Sequence, residues 1–210
     1  MEKLEEAKLI VVGETNVGKT SLIKQYIDNI FSEEKIATVG YDTITKEIAI
    51  EDRKIKLNIW DTCGQEQYRT INQMFVKNSK IALLVYDITQ KDTFNELKNY
   101  WYTYITNSLG KNIIIGIAGN KCDLYESEDV KESEARQFAE EIGAIFELTS
   151  AQNNTGINEL FFEVGNKYLD PNFKPSKDED NPDNKDDKKK IVLKKDDVKK
   201  DDKKPRRSFC

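Results

Sequence analysis

The chain has 210 residues, a formal net charge of −5 and no histidine. The lack of histidine excludes Ser–His and Cys–His nucleophilic catalysis and histidine metal ligation. Cys63, Cys122 and Cys210 lie far apart with no paired spacing, so neither a disulfide framework nor a cysteine metal site is expected, and a reducing compartment fits best. The length suits one domain of ordinary size plus an appendage. The opening MEKLEEAK is acidic without an apolar core, so no secretory signal is expected, and no run approaches the length of a membrane span.

The first element is the apolar run at residues 8–12, suited to a buried strand; beyond it Leu22, Ile23, Tyr26 and Ile27 stand at helical spacing. Between them, GETNVGKT fills every fixed place of the pattern Gly, four residues, Gly-Lys, Ser or Thr with Gly13, Gly18, Lys19 and Thr20. Where a strand feeds a helix, backbone N–H groups and the helix dipole face an anion. Glu14, Thr15, Asn16, Val17 and Ser21 complete this candidate phosphate cradle, with Lys19 reaching the outer phosphates and the Thr20 hydroxyl ligating Mg²⁺. Taken alone, the octapeptide leaves open an ordinary turn with a solvated lysine.

Two alternating runs, TITKEIAI and KIKLNIW, flank Glu51-Asp52-Arg53 and read as an antiparallel hairpin. At the end of the second, WDTCGQE presents Asp61, an acidic residue suited to holding Mg²⁺, usually through a water. Gly64 offers an unobstructed backbone N–H to a γ-phosphate. Gln65 carries a donor and an acceptor that suit the orientation of an attacking water without titrating. The runs IALLVYD, NIIIGIAGN and AIFEL then follow as strands, separated by segments of helical periodicity. In the last helices Ala135, Phe138, Ala139 and Ile142 repeat on one face with Gly143 as C-cap, and Ile157, Leu160, Phe161, Val164 and Tyr168 repeat on another.

After NIIIGIA comes GNKCDL, in which the Asp123 carboxylate would accept two parallel hydrogen bonds from guanine's N1–H and exocyclic amine. Asn120 would reach guanine N7 and brace the phosphate loop, while the Lys121 stem would lie over the nucleotide. TSAQ follows the last strand and would turn the Ala151 N–H toward guanine O6, flanked by Ser150 and Gln152. Each loop by itself is also compatible with a plain polar turn. Near-continuous apolar strands alternating with helices imply an α/β fold with a mostly parallel sheet, helices on both faces and ligands at the carboxyl ends of the strands.

These four loops, in this order at strand ends, resemble the Ras superfamily of small GTPases over residues 8–169, and KLNIWDTCGQEQYRTI, LLVYDIT and GNKCDL resemble its Rab branch. The resemblance implies a P-loop NTPase with a six-stranded sheet, one strand antiparallel, five helices and two switch segments. It implies GTP or GDP with Mg²⁺ as ligands. By position, Thr38 matches the switch threonine that ligates Mg²⁺ and senses the γ-phosphate, and Phe31 the aromatic packed against guanine. Effectors, an exchange factor and a GTPase-activating protein would bind the switch regions. Several positions depart from the family: Cys63 stands for the usual alanine, Gln152 for a lysine, Thr43 for a phenylalanine of the effector-facing trio with Trp60 and Phe75, and Lys35 for a tyrosine over the phosphates.

The resulting expectation is a GTP-hydrolysing switch for vesicle traffic. A GTP-binding scaffold with little hydrolysis is the alternative, motivated by Cys63, and a small-molecule phosphotransferase is disfavoured by the few arginines. Residues 1–170 are expected to be the GTPase domain and 171–210 a disordered tail with fourteen Lys/Arg and ten Asp/Glu. With +4 on the tail and −5 overall, residues 1–170 carry −9, a poor match for nucleic acid. The end KKPRRSFC, with a basic cluster beside Cys210, suggests prenylation of that cysteine. The protein is then expected at the cytoplasmic face of an intracellular membrane, cycling with the cytosol.

Overall fold

A computed structural model describes residues 4–32, 41–50, 52–62 and 76–174. Its strands are β1 (Glu5–Val12), β2 (Tyr41–Ile50), β3 (Arg53–Thr62), β4 (Ile81–Asp87), β5 (Ile114–Asn120) and β6 (Ile145–Thr149). They form one sheet in the order β2-β3-β1-β4-β5-β6. All neighbours are parallel except the hairpin pair β2 and β3, in which Ile50 lies opposite Arg53. The α/β fold expected from the apolar runs, one antiparallel strand included, is thus the fold observed.

Alternation within β1 and β4 explains why these strands read as continuous apolar runs. Leu9 and Val11 of β1, with Leu83 and Val85 of β4, pack against Leu22, Ile23 and Tyr26 of α1 (Lys19–Asp28) and Leu160, Phe161 and Val164 of α5 (Ile157–Leu169). Ile10, Val12, Ala82, Leu84 and Tyr86 enter the opposite layer. There they meet Phe94 of α2 (Lys91–Glu96), Leu97 and Trp101 of the segment that follows, Ile105 of α3 (Tyr102–Leu109), and Ala135 and Ala139 of α4 (Glu132–Ile142). A strand covered on both faces has no polar side to show.

Strand β1 begins three residues before the apolar run. Glu5, Glu6 and Ala7 continue the parallel register with Ile55, Lys56 and Leu57. The two carboxylates find Arg53 and, for Glu6, the Asn58 amide at 2.6 Å, so the ladder extends where hydropathy alone would end it. Helix α4 stops at Gly143, whose φ of 68° is left-handed, as the C-cap reading requires. Between α2 and α3, Leu97–Trp101 forms one π-helical turn, and the flanking Glu96 and Tyr102 are right-handed helical, so the three pieces run on as one helix. Nothing in the periodicity announces that wider turn.

The strand order places the site. From β1 the chain forms β2 and β3 on one side and then β4 on the other, so the order reverses at β1, and ligands in open α/β sheets sit at the carboxyl ends of strands beside such a reversal. Residues Met1–Pro175 form one compact unit; the other, Ser176–Cys210, lies outside the described residues.

Candidate nucleotide-binding site

Gly13 leaves β1 with φ +147°, and a Cβ there would lie 2.2 Å from the Val85 carbonyl oxygen of the neighbouring strand. Gly18 caps α1 with φ +97°, and a Cβ there would lie 2.4 Å from the Asn120 side-chain nitrogen. Both glycines are thus required by close approach as well as by backbone conformation. Between them Thr15 and Asn16 are exposed, Asn16 with φ 65°, and Val17 is buried. Lys19 is buried and its ammonium donates to the carbonyls of Gly13 at 2.9 Å and Glu14 at 2.8 Å. The loop therefore wraps around its own lysine at the N-terminus of α1, with Ser21 half-buried in the first turn.

Thr20 and Asp61, 41 residues apart in the chain, meet at 2.6 Å, the hydroxyl donating to carboxylate Oδ2. Asp61 is 3% exposed, and its Oδ1 has no hydrogen-bond partner among the described residues. Burial pushes its carboxyl above the ordinary value, opposed by the Thr20 hydrogen bond and the Lys19 ammonium. A buried carboxylate oxygen without a partner beside a hydroxyl is a hard-oxygen donor set, and it fits a divalent cation such as Mg²⁺.

The third and fourth loops are tied to the first by buried hydrogen bonds. The Asn120 amide donates to the Val17 carbonyl at 2.7 Å, and its oxygen accepts from the Thr149 hydroxyl at 3.1 Å. The Ser150 hydroxyl donates to Asp123 at 2.5 Å and accepts from the Asn153 N–H at 3.0 Å. Lys121 pairs with Asp87, whose other oxygen accepts from the Thr89 N–H and hydroxyl. Ala151 is buried and Gln152 exposed beside it.

Phe31 lies just beyond α1 and is exposed. Thr38, Gly64, Gln65 and Cys210, together with Lys35, Cys63 and Phe75, lie outside the described residues. Among the residues of this network to which the sequence reading gave no role are Asp87, Thr149 and Trp101, the last donating its indole N–H to Glu14. Asp87 and Thr149 end parallel strands on the ligand-bearing edge, a position that flags them; for Trp101 the sequence carries no such signal.

A glycine-flanked loop that leads a buried parallel strand into a helix, with a buried lysine and a hydroxyl–carboxylate pair beside it, defines a P-loop NTPase. The model of the Ras family matches residues 8–170. Ras-related protein Rab-22A of Homo sapiens is 40% identical over 164 residues, 78% of this chain and 84% of that protein. Ras-related protein Rab-21 of Bos taurus is 39% identical over 163 residues, 78% and 73% of the two chains. Ras-related protein RabJ of Dictyostelium discoideum is 37% identical over 164 residues, 78% and 64%. The chain belongs to the Ras family and is a Rab-like small GTPase.

Proposed function

We propose that this Rab-like GTPase of vesicle traffic binds GTP and GDP through residues 13–21, Asn120, Lys121, Asp123 and residues 150–152. The observation that carries the reading is the buried bond from Asn120 to Val17, which joins the base-reading loop to the phosphate loop. Backbone N–H groups of residues 14–18 hold the phosphates, and Lys19 draws on the outer ones. Asp123, held by Ser150, selects guanine through its two acceptors, the Ala151 N–H meets O6, and Phe31 packs on the base.

Thr20, Asp61 and Thr38 would hold Mg²⁺, which supplies charge neutralisation on the β- and γ-phosphates. Gln65 orients a water whose oxygen forms the new bond to the γ-phosphorus as the bond to the β-bridging oxygen breaks, giving GDP and phosphate. Gly64 and Thr38 report the γ-phosphate, so its loss releases both switches and the partners bound to them. No motif positions an arginine at the transition state. Turnover alone is slow, and an activating partner's arginine raises rates in this class by roughly 10⁵-fold.

Residues 1–170 act as the GTPase unit and 171–210 as a tail that reaches a membrane through a lipid on Cys210, so association is peripheral. Among the described residues no helix is long and apolar enough to cross a membrane. Chromatography of nucleotide released after mild purification tests binding, with guanine nucleotide expected and adenine nucleotide or none overturning the reading. Single-turnover phosphate release separates the switch from a scaffold with little or no hydrolysis. Intact mass of the membrane-bound fraction tests the lipid on Cys210.

A further inference from the structure

Glu14 brings a carboxylate into a loop built to hold anions. Left to rotate, that side chain competes with phosphate for the loop's N–H groups and repels it. Its backbone carbonyl is held by Lys19 at 2.8 Å, and its Oε1 accepts a hydrogen bond of 2.9 Å from the Trp101 indole N–H, 87 residues further along the chain.

Trp101 is well placed to fix something. It is fully buried and flanked by edge-on contacts with Tyr100 at 5.0 Å and Tyr104 at 6.4 Å. It ends the π turn, where the Tyr102 N–H reaches back five residues to the Leu97 carbonyl. At about 100° per residue, a spacing of four drifts by roughly 40° around an α-helix. The wider turn takes up part of that drift, and Leu97, Trp101 and Ile105 all stay buried against the sheet. Single π turns inside α-helices occur frequently at functional sites, and this one sets the indole under the phosphate loop.

We propose that Trp101 is a positioning residue of the nucleotide site: its indole N–H holds the Glu14 carboxylate away from the phosphates and fixes the start of the phosphate loop. The proposal rests on the reading of residues 13–20 as that loop. Losing a hydrogen bond to a charged group here speeds GDP release by about tenfold. The effect runs through Glu14, so it is absent where the carboxylate is absent.

The test is a double-mutant cycle on the full chain with a fluorescent GDP analogue. Trp101→Phe is expected to speed dissociation about tenfold in the parent and less than twofold in Glu14→Ala. Equal factors in the two backgrounds, or none in the parent, overturn the proposal. Should Trp101→Phe fail to fold, the Trp101 indole N–H resonance decides. Stripping GDP is expected to move it in the parent and leave it in place in Glu14→Ala; equal responses, or none in the parent, overturn the idea. A parent that binds no guanine nucleotide would instead be the failure of the phosphate-loop reading.

Discussion

At the scale of single residues, the site is built from close approaches that leave no room for additional atoms. A methyl group at Gly18 would lie 2.4 Å from the nitrogen with which Asn120 braces Val17. Gly18→Ala is therefore expected to eject the Asn120 amide and speed GDP release at least about tenfold. The left-handed φ adds about 1–3 kcal/mol of strain. Release followed by fluorescence, beside a thermal melt, separates the two effects, and an unchanged release rate would refute the brace. Asp123 permits a sharper test. Asp123→Asn turns one acceptor into a donor, which loses a partner for guanine's amine and complements the 2-carbonyl of xanthine. Competition binding should show preference moving from guanosine to xanthosine nucleotides, and undiminished GTP affinity with indifference to the xanthosine form would sink the assignment.

At the scale of elements, the two layers differ in what they ask of the helices. Phe161 of α5 is fully buried and stacks on Tyr26 of α1 with ring centroids 3.7 Å apart, so it couples two helices as well as filling space under the sheet. Phe161→Ala is expected to cost about 3–5 kcal/mol, lowering the melting temperature by roughly 10 °C in a unit of this size. A fall of less than about 3 °C would mean that the two helices close over the gap. The layers themselves were readable because the central strands β1, β4 and β5 bury both faces while β2 and β3 alternate, and the flanking helices repeat their apolar residues at helical spacing. The π turn was not, since Leu97, Trp101 and Ile105 keep a spacing that an ordinary helix also tolerates. The same limit separates what was legible in the site from what was not. Gly13, Lys19, Asn120 and Asp123 declare themselves in short motifs, whereas the pairs Lys121–Asp87 and Glu14–Trp101 join residues 34 and 87 apart. Such pairs are set by strand order and helix phase, neither of which a local pattern contains.

At the scale of the whole molecule, the binding site lowers the stability of the fold that contains it. Asp61 is buried with Oδ1 unpartnered among the described residues, and burial raises its pKa above that of the unfolded chain. For an acid, a raised folded pKa means that stability is present below the unfolded pKa and is lost as pH rises through the folded one. Above that range the carboxyl thus opposes folding in the ligand-free protein. Binding offsets this by mass action: a nucleotide at a thousand times its dissociation constant stabilises by about 4 kcal/mol, which corresponds to roughly 10 °C of melting temperature. Part of that gain would belong to a cation held by Asp61, and the two parts are separable by calorimetry with GDP, with and without Mg²⁺. The parent is expected to melt higher with both than with GDP and a chelator. Asp61→Asn removes the buried charge, so ligand-free Asp61→Asn should be at least as stable as the parent. It should keep the gain from GDP alone and lose the increment due to Mg²⁺. An Mg²⁺ increment of equal size in Asp61→Asn would remove Asp61 from the metal site. A ligand-free variant less stable than the parent would show that the orphaned oxygen has a partner in solution.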